Sequence, residues 1–213
     1  MSPQYEHPTP VVELRGRPSF THGLFTLPNQ LTAARFVLAV VFFAVVTFSA
    51  WLWALAIFLV AALTDWLDGY LARRSGQVTT LGRILDPFVD KIIICGAFIF
   101  LLPVSGAGLS AWMVTVLVGR ELLVTLLRSL VEREGRPFGA SWEGKLKMVL
   151  QCTTVGWILF HLGAVVPASD VDFAGASVWV RDILIWITVL STLASGIAYT
   201  IRAASILRSD EVS

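Results

Sequence analysis

The sequence predicts an all-α, polytopic membrane protein with six transmembrane helices, and three observations carry that prediction. The 213 residues are 56% hydrophobic and only 15% charged, with a mean hydropathy of +0.75. A soluble domain of this length needs more surface charge than that. The apolar residues are also bunched, and six runs come close to the roughly 20 residues that cross a bilayer as a helix. Finally, the basic residues gather on one side of those runs. The alternative, a soluble bundle of six helices with almost no polar outer face, is disfavoured by the same pattern.

Residues 1–28 precede the first run. Pro3, Pro8, Pro10 and Pro18 make an irregular tail of it, and it has no apolar core of the kind a cleaved signal carries. From 19 to 29, small polar residues mixed with Phe20, Leu24, Phe25 and Leu27 suit a segment lying at the membrane interface. The runs themselves cover 31–48, 51–72, 84–102, 109–131, 146–166 and 179–203. A short turn near Ser49 separates the first two, and the connections 103–108 and 167–178 contain no Lys or Arg, with only Arg181 close by. The six-helix domain therefore extends over 29–208, with a tail at 209–213.

An even number of spans puts both termini on the side of the second and fourth connections. That side carries Arg15, Arg17, Arg73, Arg74, Arg83, Arg133, Arg136, Lys145, Lys147 and Arg208. The positive-inside rule places it in the cytoplasm, with the protein in the inner (cytoplasmic) membrane. Trp51, Trp112 and Trp179 near span ends read as an aromatic belt. A net charge of +1 points to neither nucleic acid nor an acidic partner. Cys95 and Cys152 fall inside predicted spans as small apolar residues and suggest no disulfide or zinc framework. His7, His22 and His161 lack partners at metal-ligand spacing, and the absence of an internal repeat gives an inverted-repeat transporter no support.

Acidic residues at membrane depth are costly, about 2.5–3.5 kcal/mol each at a helix centre. The second run ends LTDWLDGYLARR and the third opens TTLGRILDPFVDKI, so Asp65, Asp68, Asp86 and Asp90 sit near the cytoplasmic mouths of two consecutive spans. At 100° per residue, Asp65, Asp68, Gly69 and Ala72 share a stripe, and Gly82, Asp86 and Asp90 recur every fourth residue. Pro87 either kinks the third helix or follows Asp86 as its N-cap. The short connection makes the two helices antiparallel neighbours whose acidic faces can meet. Four converging carboxylates need a cation, and all-oxygen ligands favour hard divalent ions such as Mg²⁺ or Mn²⁺. Two such ions would balance four aspartates and attract a diphosphate. A cation or proton transporter site, or structural pairing of the carboxylates, remains open on the residues alone.

The spacing Asp65-x2-Asp68-Gly69-x2-Ala72-Arg73-x8-Gly82-x3-Asp86-x3-Asp90 resembles, without departure, the signature of the CDP-alcohol phosphatidyltransferase family. The resemblance implies the six-span fold of that family and an enzyme that cleaves a CDP-linked lipid, releases CMP and joins the phosphatidyl group to an alcohol. It implies that Asp65, Asp68, Asp86 and Asp90 hold the metals and that Asp90 is also the general base. Asp68, Gly69, Ala72, Arg73 and Gly82 would then form the pocket for CDP-diacylglycerol, and Arg73 can offer its diphosphate a charge-assisted fork.

Outside the hairpin, Pro28-Asn29-Gln30-Leu31-Thr32-Ala33-Ala34-Arg35, Gly119-Arg120-Glu121 followed by Arg128, and Ser141-Trp142-Glu143-Gly144-Lys145-Leu146-Lys147 with Gln151 resemble the bacterial branch whose acceptor is glycerol 3-phosphate. Asn29 and Thr32 count among the implied site positions. An anionic acceptor needs cations, and the candidates are Arg120, Arg128, Lys145, Lys147 and Arg202. Glu121, seven residues from Arg128, lies on nearly the same face as a possible ion-pair partner for it. Inositol phosphate, or phosphatidylglycerol, are alternative acceptors. The family also suggests a homodimer among membrane lipids.

Overall fold

The protein is described by a computed structural model over residues 27–75, 80–133, 142–168 and 171–208, with side chains at 30, 33–64, 89, 91–131, 142, 144–168 and 172–206. The described residues form α-helices and no strand. They are α1 (Leu27–Thr47), α2 (Trp51–Ser75), α3 (Thr80–Leu101), α4 (Ala111–Arg133), α5 (Trp142–Phe160) and α6 (Val171–Arg208). A single π-helical turn, His161–Val165, prolongs α5. Each predicted run lies within or nearly within one of these helices. The tail 1–26, the connections 76–79 and 134–141, and 209–213 lie outside the described residues.

Two boundaries differ from the sequence reading. Helix α3 begins at Thr80 and runs unbroken through Pro87, so Asp86 is an interior residue and not an N-cap. Helix α6 begins at Val171 and takes in most of the expected 167–178 connection, with Asp172 in its first turn where a carboxylate complements the helix dipole. Its 38 residues make a rod of about 57 Å, longer than the roughly 30 Å hydrocarbon layer. By length and composition, Gly144–Val165 and Asp172–Ile206 can each cross a membrane, while Ala33–Thr47, Trp51–Thr64 and Lys91–Leu101 are shorter apolar stretches among the described residues.

Helix α1 packs on α2 and α3, α5 packs on α2 and α6, and α4 lies along α6. Phe42, Phe58, Phe98, Leu117, Ile158 and Val189, one from each helix, meet in a single buried core. The outside is apolar too. On α6, Trp179, Ile183, Trp186, Leu190, Leu193 and Ile197 are exposed at alternating spacings of four and three, a continuous stripe along the rod. A stripe of that kind suits lipid and not water.

The ends are closed by specific turns. After α1, Ser49 adopts φ 57°, its N–H donates to Val46 O at 2.9 Å, and Ala50 N–H donates to Val45 O at 3.2 Å, which is a Schellman cap on a non-glycine residue. Between α3 and α4, Gly106 and Gly108 have φ 88° and 75°. Arg181 of α6 reaches across this connection and donates from NH1 to Gly106 O at 2.6 Å. A Cβ at Gly108 would stand 2.6 Å from Arg181 Nε, so only glycine fits beneath the guanidinium. Two polar pairs tie α5 and its π-helical turn to α6: Thr154 and Thr188 hydroxyls lie 2.7 Å apart, and His161 Nδ1 is 2.9 Å from Ser177 Oγ.

Candidate active site

Asp65 and Asp68 lie in α2, and Asp86 and Asp90 in α3, so each pair shares a helix face by register. Their side chains, with those of Asn29, Thr32, Ala72 and Arg73 and the positions Gly69 and Gly82, lie outside the described side chains. Among the described residues, no group of three His, Cys, Asp or Glu could hold a metal. The register still leads somewhere. Ala61 stands one turn before Asp65 and Ile94 one turn after Asp90, and both line one cavity of about 340 Å³. The aspartate-bearing faces of two helices thus continue into the walls of the same space.

That cavity is two-natured. Phe58, Ala61, Ile93, Ile94 and Met148 give it apolar walls, while Arg35, Lys91, Arg128 and Lys147 supply four cations from α1, α3, α4 and α5. Among the described residues, no acidic side chain lines it. Lys147 is 3% exposed overall, so its ammonium is held in the protein and does not reach out to water. Fixed positive charge in so apolar a setting calls for an anion.

Behind the wall, Glu121 is 1% exposed in the middle of α4. It accepts from Lys91 Nζ on one carboxylate oxygen and from Lys147 Nζ on the other, and from Arg120 NH1 at 3.3 Å. Three cations from three helices therefore share one carboxylate. Among the described residues, Arg120 Nε and Nη2 have no hydrogen-bond partner, nor does Arg128 Nε. The Arg120 guanidinium lies 5.5 Å from the centre of the Tyr199 ring on α6, a cation–π distance. Gly196 leaves room for its stem, since a Cβ there would be 3.0 Å from Arg120 Cγ.

The candidate acceptor residues are distributed unevenly. Arg128 and Lys147 line the cavity. Arg120 is buried at its back through Glu121. Lys145 and Arg202 are exposed and do not line it. The expected Glu121–Arg128 pair is not formed; Glu121 is taken by Lys91, Lys147 and Arg120. Sequence reasoning passed over Lys91 and gave Arg35 no role. The available signal was a lysine directly after Asp90, an intramembrane cation with no anchoring purpose.

Among the described residues, an all-helical body with an apolar exterior suits a membrane protein, and its cationic cavity adjoins the two aspartate-bearing helices. Residues 25–194 match the CDP-alcohol phosphatidyltransferase family, and the chain belongs to that family. A similar relative is the CDP-diacylglycerol–glycerol-3-phosphate 3-phosphatidyltransferase of Bacillus subtilis (strain 168), 34% identical over 191 residues, covering 83% of this chain and 94% of the relative. The enzyme of the same name from Escherichia coli (strain K12) is 34% identical over 165 residues, covering 73% of this chain and 85% of the relative. That of Salmonella typhimurium (strain LT2) is 33% identical over the same length and coverage.

Proposed function

We propose that this chain transfers the phosphatidyl group of CDP-diacylglycerol to sn-glycerol 3-phosphate, giving phosphatidylglycerophosphate and CMP. The observation that carries the acceptor is the cavity lining: Arg35, Lys91, Arg128 and Lys147, four cations from four helices, beside the aspartate-bearing turns of α2 and α3. A free polyol needs hydrogen bonds but no such charge; a phosphate monoester needs both. The names of the Bacillus subtilis and Escherichia coli relatives support the same pair of substrates. A cation pathway, the rival reading from another class, is disfavoured because four lining cations would repel its cargo.

Four carboxylates on helix faces that run into one cavity fit hard divalent ions, and Mg²⁺ or Mn²⁺ held by Asp65, Asp68, Asp86 and Asp90 would neutralise the diphosphate and draw electron density from the reacting phosphorus. Asp90 accepts the proton of the acceptor's primary hydroxyl. The freed oxygen bonds to the phosphorus that bears diacylglycerol, and the bond from that phosphorus to the CMP oxygen breaks. Arg73 offers a charge-assisted bond to the departing phosphate, while Gly69, Ala72 and Gly82 leave room for the nucleotide. Arg128 and Lys147 hold the acceptor phosphate, with Arg120 behind them. Direct displacement needs no covalent enzyme intermediate, and no His or Cys accompanies the aspartates in the hairpin.

In this reading each of the six helices spans the inner membrane, the connections 76–79 and 134–141 lie in the cytoplasm, and the enzyme is a homodimer. The deciding experiment supplies purified protein and divalent metal with CDP-diacylglycerol and a panel of acceptors, and measures CMP release. Glycerol 3-phosphate should be the best acceptor and free glycerol far worse. Preference for inositol phosphate or phosphatidylglycerol would move the enzyme to a neighbouring branch, and no release with any acceptor would sink the reading. Orientation is read separately, with cysteines introduced at Ser75 and Ser105 after removal of Cys95 and Cys152. Reagent from the cytoplasm should reach the first and reagent from outside the second.

A further inference from the structure

Lys91 and Glu121 play no part in the mechanism above, yet the structure binds both to the acceptor cavity. We propose that Lys91 is a ligand of the acceptor phosphate, and that Glu121 is the positioning residue that holds Lys91 and Lys147 side by side to receive it. The inference rests on the proposed acceptor and deepens it.

The arrangement itself carries the argument. Lys91 on α3 and Lys147 on α5 each donate to a different oxygen of the Glu121 carboxylate on α4, and both lysines also line the cavity. An ammonium has three N–H donors, so a single bond to Glu121 fixes each lysine and leaves two donors for a ligand. Lys91 is 36% exposed whereas Lys147 is 4% exposed, which places Lys91 nearer the open part of the cavity. Without the carboxylate between them, the two like charges would repel and separate.

Charge balance separates this role from a merely structural one. Among the described side chains, Glu121 faces Lys91, Lys147 and Arg120, two positive charges more than it can match, the complement of a phosphate dianion. A cluster serving stability alone gains nothing from burying unmatched cations and loses their hydration. Position along the chain points the same way. Lys91 follows Asp90 directly, and adjacent Cα atoms lie about 3.8 Å apart. Side chains of adjacent helix positions diverge by about 100°, a gap that an acceptor with three carbons between its phosphate and its hydroxyl would bridge. Lys91 would thus select for short, phosphorylated acceptors.

The test measures CMP release against glycerol 3-phosphate and CDP-diacylglycerol in turn, using the purified full-length enzyme. K91Q should raise KM for glycerol 3-phosphate by roughly 10- to 150-fold, the loss of one charge-assisted bond. The same variant should leave KM for CDP-diacylglycerol within about twofold, and K91R should recover most of the acceptor affinity. E121Q should raise the acceptor KM likewise, and K91Q added to it should cost less than K91Q alone, because the lysine has already lost its position. If E121Q does not fold, K91Q and K91R decide the matter by themselves. An unmoved acceptor KM in K91Q, or both KM values rising together without rescue by K91R, overturns the inference alone. Wild-type protein that turns over only unphosphorylated alcohols overturns the proposed acceptor first, and this inference with it.

Discussion

Two buried arginine clusters stand in different parts of the bundle, and they are built on opposite principles. Arg181 ties α6 to the α3–α4 connection, and each of its nitrogens is occupied: Nε and NH2 face Asp182 at 2.8 and 2.7 Å, and NH1 reaches Gly106 O. One cation meets one carboxylate. Around Glu121, among the described residues, three cations meet one carboxylate, Arg120 keeps two nitrogens without hydrogen bonds, and Arg128 keeps one. The first cluster is complete within the protein. The second leaves buried N–H donors and charge unmatched among the described residues, the arrangement that an incoming anion would complete. Saturation thus separates a fastener from a receptor, although Arg181 and Arg120 are of similar burial.

If that distinction holds, changes around the unsaturated cluster move kinetics and changes around the saturated one move stability. The largest effect is expected at Asp90, next to Lys91. Removing a general base typically costs 10²–10⁴-fold, so Asp90→Asn should depress CMP release by about that factor while CDP-diacylglycerol binding largely survives. Near-normal turnover at saturating metal would remove Asp90 from its role.

Next comes Lys147→Ala, expected to raise KM for glycerol 3-phosphate by roughly 10- to 150-fold with little change for CDP-diacylglycerol. Steady-state kinetics with each substrate varied in turn check it; parallel changes in both would make Lys147 a structural residue.

Arg181→Ala should leave both KM values alone and lower stability by about 1.5–3 kcal/mol, the worth of a charge-assisted bond. Thermal unfolding in detergent measures this, and an acceptor-specific kinetic defect would erase the contrast between the clusters. The smallest effect is at the Schellman cap. Ser49→Gly relieves a left-handed non-glycine residue and should add about 0.5–1 kcal/mol of stability without altering turnover. A loss instead would show that the serine side chain itself supports the turn.

Much of this was legible in the chain. Six apolar runs became six helices because hydrophobic length is a local property, and the aspartate spacing gave the correct helical register because α2 and α3 are continuous through it. The errors came where local signals were read as boundaries. Of the two readings of Pro87, a kink or an Asp86 N-cap, the cap is excluded because Pro87 lies inside α3, and the 167–178 stretch looked like a loop but largely joined α6.

The sequence by itself determined the all-α class and the family, since each depends on residues close together along the chain. The tertiary structure alone decided which charges meet. Glu121 and Arg128 share a face by register, yet seven residues of helix separate them by about 10.5 Å. Lys91 and Lys147 stand 30 and 26 positions from Glu121 in sequence and reach it because α3, α4 and α5 converge there. Helical periodicity fixes the direction in which a side chain leaves its own helix, but only packing brings the partner from another.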